Sequence, residues 1–111
     1  MEFEHFKKTL KKFRSDKNYS QEKLAEILEV DPTTISHLEN GNRAPSVEFL
    51  IAFSNYSHIS IDSMLMEYTE QGLKNELNKQ NLKMSKLSPQ DRVLVINVME
   101  QLIDRLLKDN K

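Results

Sequence analysis

Thr33, Thr34, Ser36 and His37 put three hydroxyls and one imidazole into five consecutive positions. These groups donate and accept short hydrogen bonds, and the threonine methyls add small apolar contacts. No nucleophile or paired acid sits at helical spacing from His37, so the cluster reads as recognition chemistry and not as catalysis. Serine and threonine are poor helix formers. Three of them in one short helix are a costly choice unless that face meets something, although each alone would pass as ordinary surface polarity. The chain also lacks cysteine, a glycine-rich phosphate loop and a metal-spaced His/Asp cluster. Neither an enzyme nor a cofactor or metal is expected. His5 and His58 read as solvent-exposed or helix-end residues and are assigned nothing.

A recognition face needs a platform, and hydrophobic periodicity supplies one. Phe6, Leu10 and Phe13 recur at four and three, which predicts a helix over 3–15. Ser20 reads as the N-cap of a second helix, 21–28, with Leu24, Ile27 and Leu28 inward and Ala25 small at a close approach. Glu29-Val30 forms a turn. Asp31 as N-cap and Pro32 at the first helical position then start a third helix, with Ile35 and Leu38 inward and Asn40-Gly41 as its stop. Ser46 caps a fourth helix whose apolar side is Val47, Leu50, Ile51 and Phe53. Ser60 caps a short fifth through Ile61, Met64 and Leu65. With two glycines, three prolines and no sustained period of two, the chain reads as all-α.

The segments Tyr19-Ser20-Gln21-Glu22-Lys23-Leu24-Ala25-Glu26 and Val30 through Ser46, the latter holding Ile35-Ser36-His37-Leu38-Glu39-Asn40-Gly41, closely resemble the Xre/Cro type of phage-repressor-like helix-turn-helix domain. The likeness covers about residues 5–65, including Ser60-Ile61-Asp62 and Met64-Leu65. It implies a five-helix domain that binds operator DNA, its first motif helix lying across the backbone and the second entering the major groove. It also implies base readout by Thr33, Thr34, Ser36 and His37. Phosphate contacts fall to Ser20, Gln21, Asn40, Asn42 and Arg43, and a structural pair to Arg14 and Glu39. One departure stands out. Bidentate reading of guanine needs Arg or Lys and of adenine Asn or Gln, yet positions 32–37 hold none of these. Direct specificity is therefore expected to be modest, with more weight on dimer spacing and DNA shape.

Beyond Leu65 the texture changes, and the chain is read as a domain over 1–65 and a helical linker and dimerisation segment over 66–111. Leu73, Leu77, Gln80, Met84 and Leu87 keep the spacing of a helix-packing seam. Ser88-Pro89 then opens a last helix whose Val95, Met99, Leu102 and Leu106 form one line, widened by Val98 and Ile103. That surface exceeds the ~100° stripe which one neighbouring layer requires. A homodimer interface through Val95, Val98, Met99, Leu102, Ile103 and Leu106 is expected, because linking two half-site readers is how affinity is gained.

Charge works against this reading. The chain carries 16 Lys/Arg against 17 Asp/Glu, a net −1, and residues 1–65 hold eight against ten. A DNA-binding face must come from arrangement and not from bulk charge. No apolar run is long enough to span a membrane, and Met1-Glu2-Phe3-Glu4 lacks a basic start before an apolar core, so no secretory signal is expected. The expectation is a cytoplasmic, homodimeric transcriptional regulator of the repressor kind on double-stranded, two-fold operator DNA. The alternatives are an antitoxin or anti-repressor whose C-terminal helices bind a protein partner, and an interaction module that does not touch DNA.

Overall fold

Serine hydroxyls set the starts of three helices in the computed structural model, which describes residues 1–109. Ser20, Ser46 and Ser60 each sit in extended backbone and accept from the amide three residues on (Lys23, Phe49 and Ser63), each at 3.0 Å. The helices are α1 (Glu4–Asp16), α2 (Gln21–Leu28), α3 (Pro32–Asn40), α4 (Val47–Ser57), α5 (Ile61–Met64), α6 (Glu70–Ser85) and α7 (Pro89–Asp109). No strand occurs among the described residues. Asp31 holds the N-cap position of α3 without a side-chain cap bond, and Pro32 lies at its start. Three helices end on residues in the left-handed region: α2 at Glu29, α3 at Gly41 and α4 at His58.

The chain forms two compact units, residues 1–76 and 77–111. In the first, Phe6, Leu10, Leu24, Ala25, Leu28, Ile35, Leu38, Phe49, Leu50, Phe53 and Met64 make one core. Its aromatic rings meet edge to face, Phe6 on Phe49 at 6.1 Å and Phe13 on Phe53 at 5.4 Å between centroids. In α4 the buried set differs from the expected one. Phe49, Leu50 and Phe53 face inward, whereas Val47 and Ile51 are exposed. Residues 47 and 49 lie about 200° apart on a helix, so the arc that puts Phe49 on Phe6 turns Val47 and Ile51 outward.

The first unit also runs past Leu65, where the sequence placed the end of the domain. The Tyr68 hydroxyl accepts from the backbone N–H of Glu2 (3.0 Å) and Phe3 (2.9 Å), and its ring meets Phe3. The Glu67 carboxylate accepts from His5 N–H at 2.7 Å, satisfying a free donor in the first turn of α1. Gly72 then brings the start of α6 against α5. A methyl at that position would overlap the Asp62 carbonyl oxygen and crowd the Met66 Cα.

The second unit is the C-terminal half of α6, a turn and the long helix α7. Ser88 caps α7 by accepting from Asp91 N–H, and Arg92 spans the turn through bonds to the Leu87 and Ser85 carbonyls. Met84, Leu87 and Val95 are half-buried, and Leu77 is exposed. No residue of α7 is buried.

Candidate nucleic-acid interface

Helix α2 and helix α3 are joined by three residues, and the chain reverses there because Glu29 adopts φ 58°. Val30 N–H then returns to the Ala25 carbonyl at 2.9 Å, closing the end of α2. Helix α3 docks through Ile35, Leu38 and Glu39, all buried. The opposite side therefore faces outward. Thr33 is exposed there, and Thr34, Ser36 and His37 are half-buried at its flanks.

A buried polar knot fixes the tilt of α3 against α1. Arg14 Nε donates to Glu39 Oε2 at 2.7 Å and Nη2 to Oε1 at 3.0 Å, while Nη1 donates to the Tyr19 carbonyl at 3.1 Å. The Glu39 side chain is 1% exposed. Its bond to Arg14 raises the guanidinium pKa above the ordinary arginine value. Gln21 Nε2 also donates to Glu39 Oε1, at 3.3 Å. The amide expected at a phosphate is thus half-buried and oriented by the same carboxylate, with its second N–H directed elsewhere.

The remaining expected residues divide. Asn40 Nδ2 reaches Ser36 Oγ at 3.5 Å, the limit of a hydrogen bond, and is exposed. Asn42 returns its backbone N–H to the His37 carbonyl at 2.9 Å, which closes α3. Gly41 makes that closure with φ 80°, beside the Lys7 side chain. Arg43 does not simply extend from the loop: its Nη1 donates to Thr34 Oγ1 at 3.3 Å. Sequence reasoning did not foresee this contact, since nothing local to either residue signals it.

Positive charge on α1 is partly neutralised by neighbours. Lys7 pairs with Glu4 at 2.7 Å and Lys12 with Asp16 at 2.8 Å. The bond to Lys7 lowers the Glu4 pKa and raises that of the lysine.

Residues 10–63 match the family model described as helix-turn-helix. Residues 10–63 are a helix-turn-helix domain of the Xre/Cro-like kind. Over 78 residues the chain is 37% identical to the HTH-type transcriptional activator BcrR of Enterococcus faecalis, covering 70% of this chain and 38% of that protein. The chain therefore spans well under half the length of the curated relative it matches. The crystal structure of the clp gene regulator ClgR from Corynebacterium glutamicum superposes with a TM-score of 0.52 at 25% identity, over 75% of this chain and 88% of that one. In the helix-turn-helix domain, α2 and α3 are the two motif helices and the Arg14–Glu39 pair braces the second. No helix among the described residues is long and apolar enough to cross a membrane.

Proposed function

We propose that this chain is a cytoplasmic DNA-binding transcriptional regulator that occupies a two-fold operator as a homodimer and represses by excluding polymerase or another protein. The observation that carries the reading is the outward face of α3. A buried carboxylate knot holds that helix in place, and its solvent side presents the short hydrogen-bonding groups of Thr33, Thr34, Ser36 and His37. A rigid helix with such a face suits the major groove. Ser20, Gln21, Asn40 and Asn42 stand at the start of α2 and the end of α3, and in this reading their neutral donors bond phosphate oxygens.

The homodimer rests on the second unit. Val93, Leu94, Ile96, Val98, Met99, Leu102, Ile103, Leu106 and Leu107 are all exposed, with Val95 half-buried beside them. A helical hairpin this short with no buried residue in its long helix has too little core to hold itself, and a second copy supplies a matching apolar face.

A second reading, an interaction module on the same scaffold, draws support from the acidic balance of residues 1–65. A salt titration separates the two. A random duplex pool is passed over the immobilised full chain, and the retained DNA is sequenced. Salt-sensitive retention with an enriched two-fold site supports the regulator. No retention at low salt favours the module.

A further inference from the structure

The hydroxyls, the imidazole and Asn40 on α3 leave that helix without a group that grips guanine through two hydrogen bonds. Guanine offers O6 and N7 side by side in the major groove, and a guanidinium fork matches both. Helix α3 itself contains no Arg or Lys. The fold brings one to it from outside. Arg43, nine residues beyond Thr34, folds back so that Nη1 donates to Thr34 Oγ1.

Where that bond falls matters. Thr34 lies in the first turn of α3, and the N-terminal turn of a recognition helix is the part that meets base edges. One bond to Thr34 engages one of five guanidinium N–H donors, leaving a pair for another planar acceptor. A phosphate contact tolerates a freely swinging cation, whereas a bidentate base contact needs a fixed plane. Gly41 at φ 80° and the Asn42-to-His37 backbone bond turn the loop so that Arg43 returns toward the helix it has just left.

We propose that Arg43 reads a guanine edge in each half-site, with Thr34 as the residue that positions it. This rests on the DNA-binding reading above, and it assigns Arg43 to bases instead of to the backbone. The loop arginine supplies the bidentate guanine donor that the sequence of α3 lacks. The Thr34 hydroxyl oxygen then orients the guanidinium.

The test uses the full chain and selection from a random duplex pool, with R43K, R43A and T34V beside the parent. Arg43 is exposed, so melting curves of R43K and R43A should match the parent. The parent should enrich a site with one fixed guanine per half-site. R43K keeps the charge and the salt dependence but should lose preference for that guanine by about tenfold or more. T34V should weaken the same preference several-fold at unchanged salt slope. An R43K protein with the guanine preference intact overturns the assignment. So does an R43A protein that loses affinity equally for every sequence, which is the signature of a phosphate contact. If the parent retains no duplex at low salt, the DNA-binding reading falls and this inference falls with it.

Discussion

Arg14 and Glu39, 25 residues apart, meet through two parallel hydrogen bonds of 2.7 and 3.0 Å, with the carboxylate almost fully buried and the guanidinium at its edge. This unequal burial decides how each substitution acts. Arg14→Ala strands a charge that water cannot reach, and it should cost about 3 kcal/mol or more. Glu39→Ala leaves a guanidinium that is one-fifth exposed and still bonded to the Tyr19 carbonyl, so roughly 2 kcal/mol is expected. Chemical denaturation of both variants measures the order. Equal or reversed costs would show that Glu39 is not the member carrying the desolvation.

Gly72 should tolerate no side chain. Its place is filled by the Asp62 carbonyl and the Met66 backbone, so Gly72→Ala must push α6 away from α5. A loss of about 1–3 kcal/mol is expected. Ordinary gain of helix propensity predicts the opposite sign, a stabilisation of up to ~1 kcal/mol. Thermal melting decides by the direction of the shift alone.

Glu29 runs the other way. It holds φ 58° at the turn between the two motif helices, a region that costs a residue with a Cβ about 1–2 kcal/mol. Glu29→Gly relieves that strain and gives back part of the gain as unfolded-state entropy. A net stabilisation of about 0.5–1 kcal/mol should follow, with one acidic charge fewer near α3. An unchanged or lower melting temperature would mean that the Glu29 side chain holds the turn in a way its geometry does not display.

These positions show where sequence and structure part. The serine caps, the Asp31-Pro32 restart and the Asn40-Gly41 stop are local chemistry, and the bounds of α2 and α3 follow from them. In α4 six apolar residues stand at 47 and 49–53, so periodicity alone does not select an arc; the position of Phe6 does. Glu67 and Tyr68 lie in an irregular stretch, and their bonds to the first turn of α1 cross more than 60 residues. For the site, the type and spacing of the α3 residues were legible in the sequence. The Gln21–Glu39 and Thr34–Arg43 bonds were not, because each depends on how the loop and helices pack.

The apolar arc of α7 predicts association. Leu102→Asp places a charge where two copies would meet, at a position 47% exposed in the single chain and outside the core of the first unit. Light scattering should report a dimer for the parent and a monomer for the variant, with the helical signal of the first unit kept. A parent that scatters as a monomer at tens of micromolar removes the interface from α7.

Base readout by Thr33 and His37 separates a reading helix from a mere scaffold. The two lie one helical turn apart on the side opposite Ile35 and Leu38, and neither contributes a side chain to the core. Thr33→Ala and His37→Ala should therefore leave the melting temperature close to the parent. On selected operator DNA each should flatten discrimination at one or two positions per half-site, worth ~1–3 kcal/mol for a good contact. Thr33 carries no charge, so its loss releases no counterion and the slope of log affinity against log salt should stay put. The same slope measured for the parent reports how many phosphates the protein neutralises. In a domain with net negative charge and lysines already paired to Glu4 and Asp16, that slope should be shallow. Competition binding over a 50 to 200 mM salt range, on the preferred site and its single-base variants (about the range in which phosphate contacts tell), measures both quantities together. Thr33 and His37 variants that keep every base preference of the parent would place the reading surface on some other element than α3.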